Sequence, residues 1–275
     1  MRPIRTRESA VIMKGCRMPM RRHSTVETEF QKIEVWKSEL SCEFRVSGAV
    51  HAWWHRDRYL TGLAWDNLAA ACLLRSDGPP KSVLMLGLAG GTTLRILRQL
   101  LPKCRFTAVD IDRKVVEVAR EHMHLDEIGM KVHFADAYRW ASGRKERYDV
   151  IIDDCYLAGA EDVYRPEKKP GRGIDVLTEL LAPGGLFLTN LVTGSGHRRV
   201  QSRTRAAFKR AFAEVRSVVT PDSYNETLVG GSKVLTGSRL REWQARFSRK
   251  KDLDYWRRLQ VRAVQLRKAT DSPAD

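Results

Sequence analysis

The stretch VLMLGLAGGTT, from Val83 to Thr93, places a short apolar run directly before a glycine-rich turn. A run of this length is typical of a buried strand, and the spacing of apolar residues in the following TLRILRQLL predicts a helix. Gly87, Gly90 and Gly91 allow the backbone to turn sharply and to come close to a ligand. We therefore predict a ligand-binding turn at the carboxyl end of this strand.

Short apolar strands alternate with amphipathic helices downstream of this turn. The predicted strands are RFTAVD, KVHFAD, YDVIIDD and LFLTNL, and the helices between and after them include DRKVVEVAREHM, 173–182 and 199–213. Such alternation predicts a parallel sheet with helices on both faces. Two last strands, near 215–220 and 227–236, follow without a long helix between them. The predicted fold is therefore α/β, a Rossmann-like doubly wound sheet of seven strands with an antiparallel edge.

The regions that flank this pattern divide the chain into four parts. Residues 1–26 are basic and without periodicity, which predicts a disordered leader. Residues 27–61 alternate in polarity and predict a small N-terminal β region. Residues 62–239 form the predicted catalytic domain. Apolar residues recur at helical spacing after it, so 240–275 is predicted to be a basic C-terminal helix with a tail.

The net charge of +16 is concentrated in three segments, namely residues 1–22, 197–216 and 240–268. Basic ends can contact nucleic acid, but no RNA-recognition signature accompanies them, so a solvated surface is favoured over nucleic-acid binding. No apolar run approaches the roughly 20 residues that a membrane span needs, and we expect no membrane contact.

The five cysteines are odd in number and widely spaced, without a C-x-x-C pair. This usage argues against a disulfide framework and a structural zinc site, and it predicts a cytoplasmic protein. The histidines lack a carboxylate cluster at ligand spacing, so no metal site is expected.

Acidic residues stand where two of the predicted strands end. Asp110 follows Gly87 by 23 residues, the spacing at which an acid accepts hydrogen bonds from ribose hydroxyls. Asp136 ends the next strand, where it would meet the edge of an adenine. For both residues the alternative is a polar strand terminus or a cap on the following helix. The spacing G-x-x-G-G differs from the dinucleotide fingerprint, which makes a dehydrogenase the weaker interpretation.

The ordered motifs GLAGGTTLR, AVDID, FADA, YDVIIDD and LAPGG resemble those of class I S-adenosylmethionine-dependent methyltransferases. Within that fold they are closer to the spermidine synthase (polyamine aminopropyltransferase) branch. The resemblance extends over about residues 27–236 and includes EFQKIEVW, which is similar to the family's glutamine-bearing first strands. It implies S-adenosylmethionine or its decarboxylated form as co-substrate, with Asp110 on the ribose and Asp136 on the adenine amino group.

The resemblance also assigns residues to the rest of the nucleoside. Gln31 would contact its methionine-derived portion, and Gly87, Gly90 and Gly91 form the loop that lines it. The resemblance further implies a homodimer. The acceptor is expected to be a small molecule.

Asp154 stands at the catalytic acid position of the resemblance. Asp153 and Asp154 are adjacent in a strand, so their side chains point to opposite faces and only one readily faces the co-substrate. The polar loop 155–173 is where the substrate is expected to enter. At its start, Tyr156 either covers the substrate or packs against the protein.

Two departures from the family decide between reaction types. The family carries an aspartate that holds the amine of the reacting aminopropyl group where Gly90 stands, and a polyamine-binding aspartate where Leu157 stands. An unpaired ammonium group taken out of water costs several kcal/mol. We therefore favour methyl transfer to an unidentified small acceptor. An aminopropyltransferase with a remodelled amine pocket, or a non-catalytic nucleoside-binding protein with RNA-contacting basic ends, are the alternatives.

Overall fold

A computed structural model describes residues 19–158, 163–164, 172–193, 197–221 and 223–264. Its first four strands form a small antiparallel sheet in chain order: β1 (Arg21–Glu27), β2 (Lys32–Lys37), β3 (Ser41–Val46) and β4 (Ala49–His55). This confirms the predicted N-terminal β appendage. The predicted leader was too long, because β1 pairs with β2 from Arg21 onward. Its residues 1–18 lie outside the described part of the chain, and the division into four parts stays a prediction.

The main sheet has eight strands instead of the expected seven. Its members are β5 (Ser82–Leu86), β6 (Arg105–Asp110), β7 (Met130–Phe134), β8 (Tyr148–Asp153), β11 (Leu181–Val192), β12 (Glu214–Val219), β13 (Asn225–Gly231) and β14 (Gln260–Ala263). The spatial order is β14-β12-β13-β11-β8-β5-β6-β7. Strands from β11 to β7 are parallel, while β13, β12 and β14 pair antiparallel, which confirms the predicted edge. A separate two-stranded sheet joins β9 (Leu157–Ala158) and β10 (Val163–Tyr164).

Eight α-helices are described: α1 (Ala64–Ala71), α2 (Thr92–Leu100), α3 (Arg113–Met123), α4 (Ala137–Ala141), α5 (Arg172–Thr178), α6 (Arg198–Ala211), α7 (Ser238–Arg241) and α8 (Lys250–Arg257). Buried side chains of β5 alternate between two core clusters, with Val83 in one and Leu84 in the other. The first cluster includes α1, α2, α3 and the N-terminal sheet, and the second includes α4, α5 and α6. Helices therefore cover both faces, as in a doubly wound fold.

The C-terminal segment differs from the predicted continuous helix. Over 240–264 the chain forms the end of α7, helix α8 and strand β14, and residues 265–275 lie outside the description. Trp256 is buried against Phe247 with ring centroids 5.0 Å apart, and its Nε1 donates to the Leu240 carbonyl at 2.8 Å. Beyond this anchor β14 pairs with β12, so backbone hydrogen bonds at the sheet edge override the helical spacing of the side chains.

Among the described residues, no helix has the combination of length and apolar character that crossing a bilayer requires.

Cys42, Cys72, Cys104 and Cys155 are free thiols. Burial raises the pKa of Cys42 and that of Cys104 to about 12, so both thiols stay protonated and pack as small apolar groups.

Two buried carboxylates hold the loop between β4 and α1. Asp66, 0% exposed, accepts hydrogen bonds from the amides of Thr61 and Gly62 and from the Thr61 hydroxyl. Asp252 of α8 accepts from the amides of Tyr59 and Leu60. Four consecutive backbone amides thereby have hydrogen-bond acceptors, and the hydrogen bonds to Asp252 connect the C-terminal segment to the loop.

The Asp66 carboxyl should make stability depend on pH. Burial raises its pKa from 3.8 to about 7, against the opposing effect of its hydrogen-bond donors. The folded protein then holds a proton that the unfolded chain releases, so stability is lost as pH rises from about 4 to about 7. The free energy of unfolding of the unmodified protein should fall by an amount on the order of 3 kcal/mol across this pH range, and Asp66→Asn should abolish this fall. Urea unfolding of both proteins at several pH values measures the difference, and parallel pH profiles would contradict it.

Candidate active site

The loops after four parallel strands are joined side by side at the carboxyl edge of the sheet. The Gly87 amide donates to the Val109 carbonyl at 2.9 Å, and the Asp154 amide donates to the Leu86 carbonyl at 2.9 Å. The Ala135 amide reaches the Asp110 carbonyl at 3.0 Å. The ends of β5, β6, β7 and β8 are therefore contiguous, at the position where open α/β sheets bind ligands.

The glycine turn depends on a conformation and a close approach that other residues do not tolerate. Gly87 has φ +78°, and a Cβ atom there would lie 2.5 Å from the Asp154 carbonyl oxygen. Gly91, at φ +73°, precedes the first residue of α2, and a Cβ there would collide with Leu125. Ala89 also has a positive φ, +46°. The turn therefore has the tight geometry predicted from its glycines.

Gly90 faces the protein. A Cβ atom at this position would lie 2.5 Å from the Ala52 Cβ and 2.5 Å from the Met123 Sδ. Both neighbours are buried, Ala52 in β4 and Met123 at the end of α3. The contact follows from the docking of the N-terminal sheet, since the Thr92 hydroxyl accepts from the Trp53 amide at 2.8 Å and donates to its carbonyl at 2.9 Å.

Asp110 binds the glycine turn through its carboxylate. One oxygen, Oδ2, accepts from the Leu88 amide at 2.7 Å and the Ala89 amide at 3.0 Å, and Oδ1 accepts from the Asp112 amide at 2.9 Å. Burial raises the pKa of Asp110, while these three amides favour the carboxylate. A carboxylate has about four acceptor positions, so Oδ1 keeps one for a ligand hydroxyl. The residue is compatible with ribose binding and also shapes the turn.

Asp136 is exposed and caps α4. Its Oδ1 accepts from the Tyr138 amide at 3.1 Å and the Arg139 amide at 2.9 Å. The capping alternative is thus observed. Within the described residues, Oδ2 makes no hydrogen bond, which leaves it available to a donor such as an adenine amino group.

Asp153 and Asp154 face opposite sides of the sheet, in agreement with strand alternation. Asp153 is 5% exposed and lies under α4, with the Tyr138 hydroxyl 3.4 Å from each of its carboxylate oxygens. Asp154 is half-buried, and the Asn190 Nδ2 donates to its Oδ1 at 2.9 Å. The two neighbouring carboxylates therefore have separate environments.

Sequence reasoning missed a carboxamide pair beside Asp154. Asn190 lies near the end of β11, between Thr189 and the buried Leu191, and the Asn225 Nδ2 donates to its Oδ1 at 3.1 Å. The Tyr156 hydroxyl donates to the Asn190 main-chain carbonyl at 2.8 Å, which agrees with the packing interpretation of Tyr156. A polar residue near the carboxyl end of the run LFLTNL was the available signal, similar to the one that singled out Asp110 at the end of RFTAVD.

Asp112 is a second residue that the sequence analysis missed. Its Oδ1 caps α3 through the amides of Lys114 and Val115, each at 3.1 Å. Its Oδ2 accepts from the Thr28 hydroxyl at 2.7 Å, and the Gln31 Nε2 lies 3.5 Å away. This contact brings Gln31 to the end of β6, at the edge where Asp110 stands.

Within the described residues no group of three or more His, Cys, Asp or Glu side chains is arranged to hold a metal ion.

Most of the predicted substrate loop, including Arg165, Lys168 and Lys169, lies outside the described part of the chain. Cys155, half-buried at its start, is a free thiol.

Comparison with known proteins identifies one matching family. A model described as the spermine/spermidine synthase domain matches residues 67–230. A probable polyamine aminopropyl transferase of Bifidobacterium longum is 31% identical over 137 residues, covering 50% of this chain and 29% of that protein. An eEF1A lysine and N-terminal methyltransferase homolog of Drosophila pseudoobscura is 30% identical over 156 residues, covering 54% of this chain and 23% of that protein. The chain thus spans less than a third of either relative.

A solved structure agrees with the fold. A probable spermidine synthase from Corynebacterium glutamicum superposes with a TM-score of 0.68 at 17% identity, covering 87% of this chain and 90% of that one. At this identity the likeness is one of fold, and it includes most of both chains.

Proposed function

Because the chain belongs to the spermine/spermidine synthase domain family, we propose that it is a transferase that uses S-adenosylmethionine and moves its methyl group to a small acceptor. The position of Gly90 is the observation that supports methyl transfer over aminopropyl transfer. The space into which a side chain would extend is filled by Ala52 and Met123.

An aspartate at this position serves aminopropyl transfer in two ways. It neutralises the amine of the decarboxylated co-substrate, and it repels the carboxylate that S-adenosylmethionine retains. With glycine there and no room for a longer residue, both effects are absent. The ammonium group of the decarboxylated form is then left without an opposite charge, whereas S-adenosylmethionine carries its own carboxylate beside its ammonium group. The binding preference therefore shifts toward the carboxylated nucleoside.

The proposed nucleoside contacts use acceptors that the described residues leave open. Asp110 would accept a ribose hydroxyl at Oδ1, and Asp136 would accept the adenine amino group at Oδ2. Gln31, beside Asp112, would reach the methionine-derived end. The glycine turn allows the backbone amides close to the ligand.

Asp154 is the residue that we assign to the acceptor. Methyl transfer is a direct displacement at a carbon bound to sulfonium, and it depends on alignment and on removal of the nucleophile's proton. Asp154 is half-buried at the end of β8 and is oriented by Asn190 at 2.9 Å. It would take the proton of an N–H or O–H nucleophile as the new bond to carbon forms and the bond to sulfur breaks.

Aminopropyl transfer is the second candidate, and the named relatives favour it. The Bifidobacterium longum protein is called a probable polyamine aminopropyl transferase. Asp154 would serve that reaction equally well, as a base for the attacking amine. The acids missing at Gly90 and Leu157 would then need replacements from elsewhere in the chain.

Isothermal titration with three nucleosides tests the proposal. S-adenosylmethionine and S-adenosylhomocysteine should bind at least about tenfold more tightly than decarboxylated S-adenosylmethionine, a difference of about 1.4 kcal/mol. Preference for the decarboxylated form would establish the aminopropyl alternative. Failure of all three to bind would refute both transferase proposals.

A further inference from the structure

Helix α6 carries an unusual charge distribution. Its 14 residues include six Lys or Arg and no Asp or Glu. The side that packs on the protein is formed by Thr204, Ala207 and Phe208. Five cations are exposed, and we call them the basic face of α6: Arg198, Arg199, Arg203, Lys209 and Arg210. At 3.6 residues per turn they occupy an arc of about 140° opposite the buried side.

The described part of the chain does not neutralise the basic face. Within the described residues its five members form no salt bridge, whereas Arg205, at the boundary of the face, pairs with the buried Glu226. Arg199 and Arg203 are separated by four residues, a spacing at which like charges repel. Arg198 and Arg199 also occupy the first turn, where the helix dipole disfavours cations. The face therefore costs the free protein stability, and a bound polyanion would remove that cost.

We propose that the basic face of α6 binds the phosphate backbone of double-stranded nucleic acid. A helix of 14 residues is about 21 Å long and presents its exposed cations along one broad side, which can contact several phosphates of a duplex. The single aromatic residue of α6, Phe208, is 0% exposed, so the face offers no ring on which an unpaired base could stack. Charge without stacking favours the duplex backbone over single strands.

This surface involves none of the residues assigned to the nucleoside. Gln31, Asp110, Asp136 and Asp154 belong to other elements, so the two proposals succeed or fail separately. The binding is expected to be independent of base sequence, since within the described residues no hydrogen bond fixes the orientation of a side chain of the basic face.

The test is fluorescence anisotropy of the full chain with a labelled duplex of about 20 base pairs, titrated over a range of salt concentrations. The variant combines Arg199→Gln, Arg203→Gln and Arg210→Gln. Its matched control combines Lys103→Gln, Lys131→Gln and Lys233→Gln, which removes the same charge from exposed positions elsewhere. Far-UV circular dichroism checks that each protein keeps its fold, independently of any nucleoside binding.

We expect the α6 variant to bind the duplex at least about tenfold more weakly near 100 mM salt, with a salt slope lower by about 2 to 3. The control should stay within about twofold of the unmodified protein. Equal losses in both triple variants, tighter binding to a single strand of the same length, or no duplex binding at low salt would each overturn the proposal.

Discussion

Gly87→Ala should lower the free energy of unfolding by about 2–5 kcal/mol. Two penalties combine at this position. The φ of +78° is unfavourable for any residue with a Cβ atom, and that atom would lie 2.5 Å from the Asp154 carbonyl oxygen. Because the obstacle is backbone, it cannot rotate away as a side chain would. The ends of β5 and β8 must separate, and nucleoside affinity should fall with them. Urea unfolding measures the first effect and calorimetric titration the second.

Gly143→Ala is the matched control for this substitution. Gly143 has φ +75°, but a Cβ atom there meets nothing within 4 Å. It should therefore show the backbone penalty alone, about 1 kcal/mol, and leave nucleoside affinity unchanged. If the two variants lose the same stability, the close approach of β5 to β8 is not what the glycine turn provides.

Asp154→Asn should reduce turnover by about 10²- to 10⁴-fold, the usual contribution of a positioned general base. The substitution keeps the side-chain shape and an oxygen for the Asn190 donor at 2.9 Å, so the fold and nucleoside affinity should be retained. Release of the nucleoside product in the presence of acceptor measures the effect.

The neighbouring carboxylate provides the control. Asp153 faces α4 and the Tyr138 hydroxyl, on the other side of the sheet. Asp153→Asn should change turnover by less than about tenfold. A pair of variants with equal turnover would show that Asp154 has no special role, and the assignment of the acceptor side would be wrong.

The fold was predictable where local pattern and tertiary structure agree. The sequence from Val83 to Thr93 has a buried strand, a turn that needs glycine and a helix, and the structure has the same three elements. The fold of the C-terminal segment was not predictable, because residues 260–263 form a strand through their pairing with β12 and not through their own sequence pattern. Long-range pairing overrides local spacing in such segments.

The site was predictable in its positions but not in its contacts. Strand ends converge in this topology, so Asp110, Asp136 and Asp154 could be placed at one edge from the sequence. Hydrogen bonds between residues far apart in the sequence could not be predicted. Asn190 donates to Asp154, 36 residues away, and Thr28 donates to Asp112, 84 residues away. The filling of the space at Gly90 by Ala52 likewise depends on how the N-terminal sheet docks.

The identity of the nucleoside product distinguishes methyl transfer from aminopropyl transfer, because it reports which group is transferred even when the acceptor is unknown. The protein is incubated with a metabolite extract and either S-adenosylmethionine or its decarboxylated form, with Asp154→Asn as the blank, and products are identified by mass. We expect S-adenosylmethionine to be converted to S-adenosylhomocysteine by the unmodified protein and not by Asp154→Asn. Release of 5′-methylthioadenosine from the decarboxylated form, without S-adenosylhomocysteine, would contradict this expectation and identify an aminopropyltransferase.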